Sequence, residues 1–244
     1  MTTPKESDPV SPSKSTPDFR LDYYRGASDA VEEAFDSSIE ADRDMLTALA
    51  EYHAADARHS FHVLHDGAAT WGIPGQPQII ALHIARDPGT KTFTFEHATL
   101  PLPAMAQAWL VSQGCSREGI RLPLGMGTAP ADEATTALQE RLIGDADRFA
   151  LVASYTNDTR DHPQVTVMLQ ALDEKDPHPF RVLVEEADLA TYTHTLREAG
   201  FPTYDAAESY FNDPDTPQRT LPPTTRLPKR VVPAPPSTGP TRRR

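Results

Sequence analysis

The stretch TALQERLIGDADRFALV, from Thr136 to Val152, resembles an earlier stretch, TALAEYHAADARHSFHV, from Thr47 to Val63. Over their first eleven positions the two share Thr, Ala, Leu, Glu, Asp and Ala in register. Each stretch leads into segments whose apolar residues alternate with polar ones, which is the period of a β-strand. The match therefore predicts that one fold unit occurs twice in the chain.

The first half of the chain is predicted to form a helix, three strands and a second helix. Ser28 is a suitable N-cap for a helix that continues to about Ala57, because apolar residues recur there at three- and four-residue steps. The strands that follow are predicted over residues 60–66, 78–86 and 91–98, and DPGT forms the turn between the last two. A helix then begins at Pro103 and ends near Gly114, since proline suits a first helical turn and glycine a C-terminal cap.

The second half is predicted to repeat this order of elements. A helix is expected over residues 130–145, and strands over 147–156, 164–172 and 180–186. Asp188 is expected to cap a helix that ends at Gly200, and Thr203 to cap a short additional helix. Short connections between consecutive strands require antiparallel pairing. The predicted fold is therefore α+β, with two pseudo-repeated α-β-β-β-α units, residues 28–115 and 130–212, that pack together to complete one core.

Both ends of the chain are predicted to be disordered tails. Residues 1–22 are rich in Ser, Thr, Pro and Lys and show no hydrophobic period. Residues 213–244 contain prolines at irregular spacing, and proline removes backbone donors that a helix or a ladder needs. We therefore expect the C-terminal tail to be extended and partly polyproline-like.

Charge is unevenly distributed along the chain. The net charge is −12, but residues 216–244 carry seven basic residues and no acidic one, which leaves −19 on the rest. Such an acidic body repels phosphate backbones and suits a cationic partner. No apolar run approaches the length that spans a bilayer, no secretory signal is visible, and Cys115 is the single cysteine. These features predict a cytoplasmic protein without membrane contact.

The histidines of the first half do not have the pattern of a metal site. The sequence HSFHVLH places His59, His62 and His65 three residues apart. On a strand, side chains alternate between faces, so His59 and His65 share one face and His62 lies on the other. We therefore predict no metal and no cofactor, and expect these histidines on a half-solvated sheet face.

The sequence also lacks a recognisable catalytic constellation. Cys115 follows a helix-stopping glycine and has no base nearby in sequence, so a small buried filler is the expected role. The loop LPLGMGTAP, residues 122–130, has no lysine after its second glycine and is read as a crossover between the units, not as a phosphate loop. No catalytic residue is therefore predicted.

The order helix, three strands, helix resembles that of double-stranded-RNA-binding domains. Those domains depend on lysines at the start of the last helix, whereas the corresponding segments here, LPAMAQAW and LATYTHTL, have no basic residue. With its additional helix, the second unit is similar in topology to the secretion-chaperone-like proteins. That resemblance implies a binding adaptor rather than an enzyme.

The predicted function is that of a cytoplasmic, non-enzymatic interaction module, either an acidic adaptor of chaperone type or an inhibitor of immunity type. The candidate partner-binding residues are Trp71, His83, Glu96 and His97. One alternative is an enzyme whose site between the two units uses His83 or His97 with Glu96. Another is a regulatory or mobile-element factor that contacts nucleic acid weakly through the basic tail residues Arg226, Lys229, Arg230, Arg242, Arg243 and Arg244.

Overall fold

A computed structural model of the chain describes residues 15–145, 148–159 and 163–213. These residues form two five-stranded sheets and five α-helices, so the fold is α+β, as predicted. Each sheet consists of four long antiparallel strands and one two-residue strand that pairs in parallel at the edge. The sheets are therefore mixed, and the prediction of purely antiparallel, three-stranded sheets is wrong.

The first sheet has the strand order β1-β5-β4-β3-β2. Its strands are β1 (Arg25–Gly26), β2 (Leu46–His53), β3 (His59–Asp66), β4 (Ile79–Asp87) and β5 (Thr92–Leu100). The helices of this half are α1 (Asp29–Phe35), α2 (Ala69–Gly72) and α3 (Pro103–Ser112). The predicted strands at 60–66, 78–86 and 91–98 are confirmed as β3, β4 and β5, and the predicted helix from Pro103 is confirmed as α3.

The second sheet has the equivalent order, β6-β10-β9-β8-β7. Its strands are β6 (Ala129–Pro130), β7 (Phe149–Asn157), β8 (Gln164–Ala171), β9 (Phe180–Asp188) and β10 (Thr193–Phe201). The helices of this half are α4 (Glu133–Gly144) and α5 (Tyr204–Phe211). Thr203 caps α5 as predicted, because its hydroxyl accepts a hydrogen bond from the N–H of Ala206 at 3.3 Å.

The long helix predicted from Ser28 to Ala57 is wrong beyond its first turns. Ser28 does cap α1, but the helix passes into a short π-helical segment and a 3-10 turn, and β2 begins at Leu46. In β2, Leu46, Ala48 and Ala50 are buried and alternate with half-buried residues. This period of two is that of a strand. Because alanine and leucine also favour a helix, the residue types of this segment predicted the wrong element.

The helix predicted between Asp188 and Gly200 is wrong as well. Residues Thr193–Phe201 form β10, which pairs with β9 along its whole length. Its inward residues His194, Leu196 and Gly200 are buried, which again is the alternation of a strand. The helix-favouring residues of the segment are overridden by this tertiary pairing.

The two similar stretches at Thr47 and Thr136 do not have the same structure. The first forms β2, a turn and β3, whereas the second forms most of α4 and the start of β7. Their similarity is therefore a coincidence of Ala-rich composition. The predicted α-β-β-β-α order is also wrong, because each half contains a short strand, a helix, four long strands and a final helix, with the brief α2 added in the first half.

Each sheet is covered on both faces. In the first sheet, α1 and Phe19 pack on the face of Leu64 and Leu82, and α3 packs on the face of Phe61 and Val63. In the second sheet, α4 covers one face and α5 the other. The helix α3 belongs to both halves, because its first residues enter the core under α4 and its later residues enter the core of the first sheet. Within the described residues, no helix is long and apolar enough to cross a lipid bilayer.

The N-terminal segment 15–20, named here the strap, is part of the fold. Phe19 is only 2 % exposed and packs edge-on against Phe35 and His62. The tail predicted over residues 1–22 overlaps the strap, whose residues lie against the first sheet in the described part of the chain. Residues 1–14 and 214–244, with the six basic tail residues singled out above, lie outside the described residues.

Candidate functional site

Two of the four predicted partner-binding residues are direct neighbours on the first sheet. His83 of β4 pairs with Glu96 of β5, and both point to the face covered by α3. Phe61 lies on the other side of His83, with the two ring centroids 4.5 Å apart and the ring planes tilted by only 4°. His59 completes the group, because its Nδ1 lies 3.0 Å from Nε2 of His83.

His97 and Trp71 do not join this pair. His97 lies two residues after Phe95, and both rings are on the α1 face, opposite to His83. Trp71 belongs to α2, and among the described residues no contact joins it to His83 or Glu96. Because His83 and His97 occupy opposite faces, they cannot act together on one substrate.

The environment of His83 favours a neutral ring. Burial, reinforced by the nearby His59, lowers the pKa of His83, and the carboxylate of Glu96 opposes this effect. The ring of His83 stacks on Phe61, and its Nε2 is hydrogen-bonded to His59, so packing and a hydrogen bond both hold the imidazole in place.

Two further histidines of the first sheet, His62 and His53, are held by polar contacts. His62 is fully buried, and its Nδ1 lies 3.1 Å from the carboxylate of Glu51. His53 shares a hydrogen bond of 2.7 Å with the hydroxyl of the buried Ser60. The expected alternation of His59 and His62 is confirmed, but the half-solvated face expected for them is wrong for His62. In the described part of the chain, no three histidine, cysteine or acidic side chains converge as metal ligands would.

Cys115 has the buried position predicted for it. It is 5 % exposed and packs in the core between α3 and the first sheet. Burial raises the pKa of Cys115 to about 12, so the thiolate that a nucleophile needs is scarce at neutral pH.

The second sheet contains a buried polar cluster that the sequence did not reveal. Glu185 and His194 face α4, and Nε2 of His194 lies 3.9 Å from a carboxylate oxygen of Glu185. His194 also hydrogen-bonds to Thr128 and Gln139 at 2.9 and 2.7 Å. Burial raises the pKa of Glu185 to about 7 and lowers the pKa of His194. Both groups are thus biased toward their neutral forms.

The outer edge of β7 exposes apolar side chains and lacks charge. Leu151, Val152 and Tyr155 are 41 %, 38 % and 50 % exposed, and β7 contains no charged residue. Exposed edge strands usually carry lysine or another charge that discourages pairing with a second chain. This apolar edge was not predicted, because the sequence does not show which strand lies at the edge of a sheet.

The edge of β2, which has the equivalent position in the first sheet, is covered. The strap runs beside β2, and the N–H of Ala48 donates to the carbonyl of Ser15 at 2.9 Å. The N–H of Asp18 donates to the carboxylate of Glu51, also at 2.9 Å. On β7, the only described contact of this kind is from the N–H of Thr156 to the carbonyl of Gly75 at 3.0 Å.

The loop that contains Trp71 continues the surface of β7. Gly75 lies against Thr156 and the ring of Tyr155, and the hydroxyl of Thr70 hydrogen-bonds to Asp158. In this loop Trp71 is 72 % exposed and Ile73 is 61 % exposed. We name the five residues of this region the β7-edge surface: Trp71, Ile73, Leu151, Val152 and Tyr155.

No protein-family model matches the chain, and no curated protein or solved structure is similar enough to count as a match.

Proposed function

We propose that the protein is a non-enzymatic interaction module whose partner protein binds at the β7-edge surface. The observation that carries this proposal is the exposure of Trp71, Ile73 and Tyr155 beside an uncharged edge strand. Large apolar side chains that stay exposed beside a sheet edge are typical of binding surfaces, and tryptophan and tyrosine dominate the energetics of such contacts.

The chemistry of the polar groups also supports binding rather than catalysis. His83 is stacked on Phe61, and Cys115 is buried. Burial lowers the pKa of His83 and raises the pKa of Cys115, and both changes favour the neutral side chain. An enzyme that used His97 with Glu96 would need both side chains on one face of the sheet, and they lie on opposite faces. His83 does share its face with Glu96, but its ring is stacked on Phe61 and bonded to His59, which favours the binding module.

Charge favours a cationic partner. The chain without residues 216–244 carries −19, and Asp158 directly follows β7, whereas Asp145 on the other side is already paired with Arg141 and Arg148. Attraction between such a body and a basic partner speeds association and weakens as salt screens it. The proposed partner is therefore a basic protein.

A duplicated architecture is part of the same proposal. We infer two copies of one β-α-β-β-β-β-α unit, beginning at β1 and at β6. Each copy would have a bulge in its first long strand, after Ala48 and after Leu151. In the last hairpin of each, an aspartate, Asp87 or Asp188, accepts a backbone hydrogen bond of 2.8 Å from two residues ahead. The duplication makes β7 the counterpart of β2.

Photo-crosslinking in the native host tests the proposed surface. We expect the variant Trp71→p-benzoylphenylalanine to form an adduct with a basic protein, and the yield to fall as salt is raised. Leu124 is fully exposed in the linker before β6 and provides the control, Leu124→p-benzoylphenylalanine. Absence of a protein adduct at position 71, or the same adduct at both positions, would contradict the proposal.

A further inference from the structure

The free edge of β7 offers backbone groups as well as apolar side chains, and we propose that the partner binds by adding a β-strand to it. The occupant is an extended, basic segment of the partner protein that runs parallel to β7. This inference rests on the proposed function and specifies how the β7-edge surface is used. Strand addition combines main-chain hydrogen bonds with pockets for alternate side chains.

The direction of the free backbone groups follows from the ladder. In an antiparallel pair, successive residues point their N–H and C=O groups alternately toward and away from the neighbouring strand. Thr156 points away from β8, because its N–H donates to Gly75. Ser154 therefore points away as well, and so does Leu151, since the bulge after Leu151 shifts the register by one residue. No described residue pairs with the N–H groups of Leu151 and Ser154.

The first sheet shows how such an edge is filled in this fold. Ser15 lies beside Ala48 and Asp18 lies beside Glu51, so the strap runs in the same direction as β2. Ala48 precedes the bulge of β2 as Leu151 precedes the bulge of β7. A segment that copies the strap would therefore accept a hydrogen bond from Leu151 and run parallel to β7.

The chain preceding β6 does not supply this segment. In the first half, the strap precedes β1 and folds along β2, but the residues before β6 follow α3. Of these, Cys115 and Ile120 are buried in the core of the first sheet. The second half thus has the edge without the part of the chain that covers it in the first half.

The chemistry of β7 defines the occupant. From Phe149 to Tyr155 no backbone of the described residues pairs with the outer edge, and Gly75 closes it at Thr156. This length accommodates about four to six residues of an extended strand. The occupant must present free N–H groups, which excludes proline at the pairing positions, and its apolar side chains meet Leu151 and Tyr155. Asp158, which directly follows β7, favours lysine or arginine in the flank of the occupant beside it, as does the charge of −19 on residues 1–215.

A displayed library of random twelve-residue peptides tests the inference on the full-length protein. We expect enrichment of peptides with a net positive charge and a proline-free core. Ser154→Pro removes the outward N–H, and we expect it to weaken binding of an enriched peptide about tenfold. Ser154→Ala keeps the N–H and is the matched control, with affinity within about twofold of the original chain.

A second measurement does not depend on the folding of the proline variant. Backbone N-methylation of an enriched peptide at every second residue should abolish binding in one register and leave it in the other, because only one edge of a strand faces β7. Lack of enrichment, enrichment of acidic peptides, or equal binding by Ser154→Pro and Ser154→Ala would overturn the inference.

Two further outcomes would identify a different occupant and also overturn it. Sedimentation that shows a dimer of the original chain and a monomer of Ser154→Pro would identify a second copy of the chain. Competition by a synthetic peptide of residues 226–233 would identify the basic tail of the chain itself. If the crosslink at position 71 forms equally in Ser154→Pro and Ser154→Ala, the β7-edge surface still binds a partner, but the partner does not add a strand. That result would support the proposed function and contradict only this further inference.

Discussion

The N–H of Ala48 donates to the carbonyl of Ser15 at 2.9 Å, and this bond fastens the strap to the edge of the first sheet. Leu151 holds the corresponding position in the second sheet, where the described part of the chain supplies no such acceptor. The strap therefore covers the edge of β2, whereas the edge of β7 is an uncharged strand beside exposed aromatic residues. This difference between two similar sheets is the basis of the proposed binding mode.

The strap should contribute strongly to stability through Phe19. Its ring is 2 % exposed and packs between Phe35, His62 and the guanidinium of Arg43. We expect Phe19→Ala to lower the free energy of unfolding by about 3–5 kcal/mol, measured by urea denaturation. The control Leu124→Ala removes a fully exposed side chain and should change it by less than about 0.5 kcal/mol. Equal effects of the two substitutions would show that the strap is not part of the core.

Gly75 should be required for the junction between the Trp71 loop and β7. Its φ is +85°, and a Cβ there would lie 2.5 Å from the ring of Tyr155. We expect Gly75→Ala to lower the melting temperature, with a loss of about 1–3 kcal/mol in unfolding free energy from strain and displacement of the ring. Gly72→Ala in the same loop is the control, because nothing lies within 4 Å of its added Cβ. A melting temperature of Gly75→Ala equal to that of Gly72→Ala would refute this account of the loop.

Glu185 should make the protein less stable as the pH rises toward neutrality. Burial raises its pKa in the folded state to about 7, above the ordinary value of 4.5, so the folded state binds the proton more tightly. Below about pH 4.5 the side chain is neutral in both the folded and the unfolded state, and the free energy of unfolding is at its full value. As the pH rises from there to about 7, the unfolded state loses the proton first, and the free energy of unfolding falls. Glu185→Gln should remove this slope, with a difference of up to about 3 kcal/mol at the upper end.

Chemical denaturation of both proteins at a series of pH values measures this slope. Glu186→Gln is the neighbouring control, because Glu186 is exposed and points away from α4. Parallel pH profiles for Glu185→Gln and the original chain would contradict the assignment of Glu185 as a neutral core group.

Trp71 should contribute to binding and not to folding. Because its side chain is 72 % exposed, we expect Trp71→Ala to change the unfolding free energy by less than about 0.5 kcal/mol. The same substitution should weaken binding of an enriched library peptide by about 2 kcal/mol, as for an aromatic anchor, measured by fluorescence anisotropy. Full affinity of the Trp71→Ala variant for the peptide would show that Trp71 does not take part in binding.

The sequence predicted the regular hairpins well and the switches between helix and strand poorly. The turn between β4 and β5 carries Pro88 and Gly89, whose dihedral preferences are local, and both flanking strands are found close to the predicted residues. β2 and β10 were predicted as helices because their alanine, leucine and glutamate residues suit a helix. Their pairing with β3 and β9 decides their structure, and pairing with a distant strand leaves no local signal.

The candidate site was predicted only in part, for a related reason. Trp71 stood out because it lies in a Gly- and Pro-rich loop without a core-like spacing, and it is indeed exposed. The residues beside it, such as Leu151 and Tyr155, look like those of a buried strand. Only the strand order shows that β7 is at an edge and that the strap covers β2 instead.

Hydrogen exchange at single amides of the full-length protein, followed by NMR, tests the central claim most directly. We predict that the amide of Ala48 is protected by its bond to Ser15, whereas the amides of Leu151 and Ser154 exchange almost as fast as those of an unstructured peptide. Protection of Leu151 and Ser154 equal to that of Ala48 would mean that the edge of β7 is already covered, and would contradict the account.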